Sequence, residues 1–331
     1  MFIRKRSLSK ICVWSSAPDP TPGQHDIVLR MRAASLNYRD IAIERGNYHI
    51  QVAPPLVPLS DGAGEVIAVG TKVTRFRIGD LACPLYLPDW IDGAVSMRIA
   101  RRRLGGPTDG VFTEMMCLNE EEAVRVPSHL DPVEAASLPV SALTAWNSLY
   151  QIGTVLPGDT VLVQGSGGVS TAALQFARAG GAKAIAVLRN GRHEAAYRQL
   201  GAAEVLTNGD AADWPRDVMK LTGGVHVAVN VAGGDTLGQS IAATRVGGKV
   251  HLVGYASNTV AGFDIFEAIR RATTIHIATA GNRAAFEAML RVIELNTIKP
   301  AIARTFPADQ IAGAFEYLQR GGHFGKVVMT F

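Results

Sequence analysis

The stretch TVLVQGSGGVSTAALQFARAGGAKAIAVLR, Thr160–Arg189, decides how this chain is read. An apolar run comes first, then a glycine-rich turn, a helical segment and a second apolar run. That order is how a phosphate-bearing dinucleotide is gripped. Glycines let the backbone approach the pyrophosphate, and the following helix offers its positive N-terminus. Gly165, Ser166, Gly167, Gly168 and Val169 are therefore candidate cofactor contacts. The pattern is imperfect, because Ser170 stands where a last glycine is expected. A tight strand-to-helix turn with no ligand is the plain alternative for this segment taken alone.

The surroundings favour the ligand. Further strand-like runs recur at Glu204–Thr207, Val225–Val231, Lys249–Val253 and Thr274–Thr279, alternating with helical segments, as in a doubly wound parallel sheet. The turns Val231-Ala232-Gly233-Gly234 and Val253-Gly254-Tyr255 fall where strand C-termini face a cofactor. Val231, Ala232, Gly233, Val253, Gly254 and Tyr255 join the candidate set. A carboxylate about 20 residues beyond the turn would bind a free ribose hydroxyl. Here that neighbourhood holds Arg189, Asn190, Arg192 and His193, with no carboxylate before Glu194. Arginine matches phosphate geometry, so the expected cofactor is NADP(H) rather than NAD(H). An exposed polar loop is the alternative.

The chain ahead of this region has another texture. It is rich in Gly, Pro and short β-like runs, at Asp26–Ala33, Gly64–Val69, Asp80–Leu87 and Val111–Leu118, and reads as an irregular β-barrel-like domain. The expected divisions are 1–125 for this domain, 126–265 for the nucleotide domain and 266–331 for a segment that ends the parallel sheet and returns to the first domain. Helical stretches are expected on either side of Pro139, around Arg283–Leu295 and around Ala308–Arg320, with a closing strand at Lys326–Phe331.

The 331 residues suffice for two full cores, and 47% hydrophobic with 19% charged residues fits a soluble globular enzyme. A net charge of +4 tolerates anionic ligands without pointing to nucleic acid. The basic opening MFIRKRSLSK is followed only by Ile11–Trp14, too short for a secretory apolar core. No apolar run approaches the roughly 20 residues that span a bilayer. The cytoplasm is the expected compartment, with no membrane partner. Cys12, Cys83 and Cys117 are widely spaced with no CxxC pair, and read as free thiols. The histidines show no metal spacing. The basic run Arg98–Arg103, RIARRR, reads as a solvated face or, alternatively, a landing site for an anionic substrate tail.

The segments ASLNYRD (Ala34–Asp40), PLSDGAGEVIAVGTKVTRFRIGD (Pro58–Asp80), GGPTDGVFTE (Gly105–Glu114), LPVSALTAW (Leu138–Trp146), VLVQGSGGVS (Val161–Ser170) and FGKVVM (Phe324–Met329) together resemble the medium-chain dehydrogenase/reductase superfamily over essentially the whole chain. The resemblance implies an α/β fold: a GroES-like β-barrel domain beside a Rossmann doubly wound parallel sheet, an active site in the cleft between them, and a homodimer, paired through the strand near Thr274–Thr279. It also marks departures. Zinc members place a cysteine ligand where Asn37 stands and a Gly-His-Glu run where Leu59-Ser60-Asp61 stands. They carry a four-cysteine lobe in the region of Pro84–Thr113, which here has no cysteine. Catalytic zinc needs three protein ligands, so no metal is expected, and the pattern resembles the zinc-free branch of quinone and enoyl reductases.

Without a Lewis acid, hydride transfer to a conjugated carbonyl is the easier chemistry, because neutral donors can hold the charge that develops on oxygen. The expected activity is NADPH-dependent reduction of an enone, enoyl thioester or quinone. Metal-free alcohol oxidation, or cofactor binding with little turnover, are the alternatives. By resemblance, Asn37 and Tyr38 lie beside the nicotinamide and orient substrate, Thr144 contacts the nicotinamide side, and Gly325 and Lys326 reach cofactor or substrate. Tyr255 donates a proton or lines the pocket. Ala42 stands near the position where quinone reductases carry a tyrosine, and Asp40 reads as a loop-fixing residue.

Overall fold

The computed structural model describes residues 2–3, 12–13, 15–207, 213–277 and 279–331, with the backbone alone at 2–3 and 12–13. The Cys12 side chain, most of the basic N-terminal stretch and Ala278 of the expected edge strand lie outside the described residues.

In chain order, β1 (Phe2–Ile3) and β2 (Cys12–Val13) pair with each other, and β3 (Asp26–Ser35) leads into α1 (Tyr38–Glu44). Then come β4 (Asp61–Val69), β5 (Leu81–Pro84), α2 (Met97–Arg101), β6 (Met115–Asn119) and β7 (Ala123–Arg125). A helical run follows, with α3 (Pro132–Ala135) and α4 (Leu143–Trp146). The alternating region holds β8 (Thr160–Gln164), α5 (Gly168–Ala179), β9 (Lys183–Leu188), α6 (Glu194–Leu200), β10 (Ala202–Thr207) and α7 (Trp214–Thr222). It continues with β11 (Val225–Asn230), α8 (Leu237–Ala242), β12 (Thr244–Leu252), α9 (Ile265–Arg271) and β13 (Thr274–Ile277). The chain closes with α10 (Arg283–Leu295), β14 (Ile302–Pro307), α11 (Ile311–Arg320) and β15 (Lys326–Thr330).

Two compact units result: 1–143 with 281–331, and 144–280. These boundaries fall beyond the 125 and 265 expected from sequence texture. The helical segment after Asp131 stays with the first unit, and β13 hydrogen-bonds β12, which keeps α9 and β13 with the second. Pro139 does not interrupt the helical run. It sits in a wide turn, Leu138–Ala142, that absorbs the missing N–H.

The first unit is built on a seven-stranded sheet in the order β14-β15-β3-β4-β5-β7, with β6 also paired to β3. β3 shows why it is central: Ile27, Leu29 and Met31 alternate inward while Arg30 and Arg32 face out. They pack against Phe112, Phe306 and Phe315. The antiparallel pairing of β3 with both β4 and β15 brings Asn37, Asp61 and Lys326 to one end of the sheet.

The second unit is a six-stranded parallel sheet in the order β10-β9-β8-β11-β12-β13. The order reverses between β8 and β11, and ligands bind such sheets at that switch point, outside the strands' carboxyl ends.

Candidate active site

The glycine turn sits at the switch point. Gly165, at the end of β8, has φ +75°, a left-handed conformation that glycine adopts without strain. Its carbonyl accepts from the Tyr197 hydroxyl. Gly167 caps α5 and has no side chain to cover the first-turn N–H groups. A Cβ built on Gly167 meets no atom within 4 Å, so the protein leaves space against this backbone. Gly168 and Val169 open the helix. Ser170, in place of the last glycine, is fully buried and donates to the Gln164 carbonyl at 2.6 Å, tying strand end to helix start. Open backbone, uncovered N–H groups and a helix N-terminus fit a dinucleotide pyrophosphate.

The neighbouring strands complete this edge. β9 runs beside β8 in parallel, with Val187 opposite Gln164, so Arg189 and Asn190 emerge next to the turn. Both are exposed, as is Arg192, and Asn190 accepts from the Arg192 N–H at 3.2 Å. His193 follows, half-buried. On the other side, Val231 and Ala232 leave β11 and Gly233 turns with φ +116°. Val253, Gly254 and Tyr255 leave β12, and the Val253 and Gly254 N–H groups both donate to the Asn230 carbonyl. Thr144 is buried in α4 of the same unit.

Sequence reasoning missed the polar lattice beneath. Asn230 is fully buried, with Nδ2 donating to Thr236 Oγ1 (3.0 Å) and Ser240 Oγ (3.1 Å), and Oδ1 accepting from the Gly233 N–H (2.9 Å). Gln164 Nε2 donates to the same Ser240 hydroxyl at 2.9 Å. A satisfied buried network of this kind rigidifies the two strand ends beside the glycine turn. Its only signal in the sequence is a polar residue closing each of two apolar strands.

In the first unit, two residues that the resemblance matches to ligand motifs of zinc members, Asn37 and Asp61, contact an ammonium. Lys326 is 5% exposed, and its Nζ donates to Asn37 Oδ1 (2.6 Å), the Leu36 carbonyl (2.8 Å) and Asp61 Oδ2 (3.2 Å). Asp61 is fully buried and accepts from Ser60 Oγ at 3.4 Å, while Ser35 Oγ, 3.5 Å away, donates its hydrogen to the Ala136 carbonyl at 2.8 Å. Asn37 Nδ2 faces Ser60 Oγ at 3.4 Å. Tyr38 opens α1 and is exposed. Gly325 precedes β15, where a Cβ would stand 2.1 Å from the Ala301 carbonyl oxygen, so packing within this unit already requires glycine there.

Asp40 holds the loop, as expected. Its carboxylate accepts from the Asn37 N–H at 2.7 Å and from Arg39 at 3.2 Å. Burial pushes its carboxyl up to about 6, against the pull of Arg39. Arg39, also buried, donates to the carbonyls of Leu104, Gly105 and Gly106 and lies between the rings of Tyr48 and Tyr86. Of the basic run, Arg98 and Arg101 are exposed. Arg102 instead bonds Asp89 at 3.0 Å and Glu122 at 2.9 Å, and Arg103 contacts His49. Arginines thus tie down the 84–113 segment. A cavity of about 950 Å³ in the same unit, lined by Arg75, Arg77, Arg125, Glu287, Arg291 and Glu294, is bordered by none of the expected site residues.

Comparison with known proteins fits both halves. Residues 23–128 match the alcohol dehydrogenase GroES-like domain, and residues 168–294 the zinc-binding dehydrogenase family. A zinc-type alcohol dehydrogenase-like protein of Schizosaccharomyces pombe is 35% identical over 93% of this chain and 91% of its own length. The chain belongs to the medium-chain dehydrogenase/reductase superfamily. The structure of a putative alcohol dehydrogenase from Sinorhizobium meliloti 1021 superposes with TM-score 0.88 at 36% identity, over 95% of this chain and 93% of that one. An NAD-dependent alcohol dehydrogenase superposes with TM-score 0.89 at 30% identity, over 100% and 98%. Membership makes this chain an oxidoreductase of the alcohol dehydrogenase type that uses a nicotinamide dinucleotide, on a GroES-like and a Rossmann-type unit.

Several relatives are named for zinc, and the donor set here bears on whether that metal fits. Zinc takes tetrahedral nitrogen and sulfur ligands, with carboxylate oxygens as supplements. Here Asn37 and Asp61 present oxygens to an ammonium already between them. Cys83 is buried, its thiol pushed up by burial and bonded to the Ala135 carbonyl at 3.3 Å. These residues do not fit zinc.

Proposed function

We propose that this protein transfers hydride from NADPH to a conjugated carbonyl (an enone, enoyl thioester or quinone) without zinc. The observation that carries the reading is the Lys326 ammonium held against Asn37 and Asp61, where zinc enzymes of the superfamily keep their ligands. NADPH, when bound, supplies the hydride. The Gly165–Val169 turn and the first-turn N–H groups of α5 hold its pyrophosphate. Arg189 and Arg192, with Asn190 and His193, take the 2′-phosphate, for which an arginine fork suits better than the carboxylate that NAD(H) enzymes use. Thr144, Tyr255 and the Val231–Gly233 turn line the nicotinamide side.

As hydride arrives at a conjugated carbon, charge moves to the carbonyl oxygen, and the enolate so formed then takes up one proton from solvent water. Asn37 donates to that oxygen through Nδ2–H, and Tyr38 offers a second donor. Alcohol oxidation would need a base for the hydroxyl proton. An amide is no base, and Asp61 is fully buried and engaged by Lys326 and Ser60. Reduction is therefore the favoured direction. The protein acts as a homodimer joined along β13, one of the two edge strands of the parallel sheet, in the cytoplasm, where free thiols such as Cys83 and Cys117 stay reduced.

The test follows absorbance of the reduced nicotinamide with a panel of enones, quinones, enoyl thioesters and simple aldehydes, using NADPH and NADH in parallel. Enone or quinone turnover with NADPH, unchanged after dialysis against a chelator, is expected. Turnover confined to simple aldehydes or alcohols, or abolished by the chelator, would overturn the reading.

A further inference from the structure

We propose that Lys326 is a positioning residue that acts on substrate only through the Asn37 amide. Its bond to Asn37 Oδ1 turns Nδ2–H outward and sharpens it as a donor. This rests on the reading that Asn37 receives the substrate oxygen.

An ammonium has three N–H donors and no acceptor. All three are engaged, by the Leu36 carbonyl, Asn37 Oδ1 and Asp61 Oδ2. Lys326 therefore has no free hydrogen for a substrate unless it breaks one of these bonds. Its partner at position 37 has to present oxygen, because an amide NH₂ turned toward an ammonium would set donor against donor. The orientation of Asn37 is thus chemically dictated: Oδ1 faces inward and Nδ2 the other way. One Nδ2 hydrogen lies toward Ser60 Oγ at 3.4 Å, which leaves the second for an incoming oxygen.

The ammonium also polarises the amide. A charge-assisted bond at Oδ1 draws electron density from Nδ2, and linked hydrogen bonds strengthen one another in a low-dielectric site. Asp61, fully buried and bonded by Ser60, balances the charge and fixes Nζ. An ammonium fixed by its carboxylate partner, hydrogen-bonded two covalent bonds behind a neutral donor, thereby does part of what a metal does in front of a carbonyl. The effect fits conjugated acceptors, whose developing charge is already delocalised.

Lys326→Met alone strands the buried Asp61 carboxylate, so the test uses the charge-neutral pair Lys326→Met with Asp61→Asn. Asn37→Ala is introduced into both the native protein and this neutral background, and kcat and KM are measured with NADPH and an enone. In the native protein Asn37→Ala should lower kcat about 100-fold, the size of a lost oxyanion donor, with KM for NADPH little changed. In the neutral background the same change should cost at most about threefold, the non-additivity of residues acting in series. An equal loss in both backgrounds would overturn the proposal. A second readout needs no turnover: the side-chain amide signal of Asn37 in ¹⁵N-asparagine-labelled protein, assigned by its disappearance in Asn37→Ala. It should move in the neutral background, and a signal unmoved there would also overturn the proposal. Absence of enone and quinone turnover in the native protein would sink the proposed activity instead, and the amide signal would still decide the role of Lys326.

Discussion

His251 shows how one residue sets a pH limit on this fold. It sits fully buried on β12, beside His276 of β13 in register, with ring centroids 5.5 Å apart. Burial, with help from His276 and Lys249, pushes its imidazole down to about 4. The native state therefore holds it neutral, while the unfolded chain takes up a proton near 6.5. Stability from this site is complete above pH 6.5 and is lost as pH falls toward 4, by about 2 kcal/mol between pH 6.5 and 5. His251→Phe should flatten the decline of Tm over that window, and melting curves at half-unit pH steps check it; a slope equal to that of the native protein would assign the acid loss elsewhere. Arg189 carries a separate expectation. Arg189→Ser should weaken NADPH binding about tenfold or more and leave NADH nearly unchanged, as removal of one charge-assisted phosphate contact predicts. Titration of nicotinamide fluorescence reads both. The position of Arg189 beside the glycine turn was legible in the sequence, because it lies at a fixed distance beyond that turn. The bonds among Asn37, Asp61 and Lys326 were not, because β3, β4 and β15 bring together positions 24 to 289 residues apart, and no local pattern encodes that meeting.

At the scale of elements, the turn after β8 and the turn after β12 separate binding from stability. Gly167 faces open space, so Gly167→Ala adds a methyl that touches no protein atom within 4 Å and only alters a helix cap. It should cost less than about 1 kcal/mol of stability. The methyl enters the volume assigned to the pyrophosphate, so NADPH affinity should fall tenfold or more. Gly254 is the opposite case. A Cβ there would stand 1.7 Å from the Val231 carbonyl oxygen, a clash with backbone that no rotamer relieves. Gly254→Ala should force apart the ends of β11 and β12 and cost about 3 kcal/mol or more. Calorimetry beside dinucleotide titration distinguishes the pair: equal loss of stability in both would mean that the space at Gly167 is structural. Element boundaries were legible where local rules operate alone. Helix α10 runs over Arg283–Leu295 as expected, because Asn282 caps it by accepting from the Ala285 N–H, and Phe286, Met289, Leu290 and Ile293 recur on one buried face. The strand expected from Val111 begins only at Met115. Val111 and Phe112 instead donate to the carbonyls of Leu59 and Pro58, a non-local pairing that outweighs their strand-like composition.

Among the described residues, the β13 end of the parallel sheet is the edge best suited to take a partner. β13 ends the parallel sheet, hydrogen-bonded to β12 on one side only, and reads Thr274-Ile275-His276-Ile277 with no charge or proline to discourage pairing. The helix that precedes it, α9, exposes Ile265, Phe266 and Ile269 at 66%, 73% and 65%, and Ile277 is 68% exposed. Large apolar side chains exposed on α9 and at the end of β13 are costly to leave in water, as at an association surface. Joined edge to edge by a twofold axis, two copies would continue one sheet across the dimer and cover both helices, an isologous arrangement that closes on itself. The expected solution species is therefore a dimer of the 35.2 kDa chain. Sedimentation velocity over a wide concentration range should show it, and the pair Phe266→Lys and Ile277→Lys should shift the distribution to monomer by setting like charges where apolar groups meet. Because Asn37, Asp61 and Lys326 lie in the other unit, the monomeric variant should keep their hydrogen bonds and the Asn37 amide signal. A native protein that sediments as monomer at every concentration, or a lysine pair that still sediments as dimer, would move the interface away from β13.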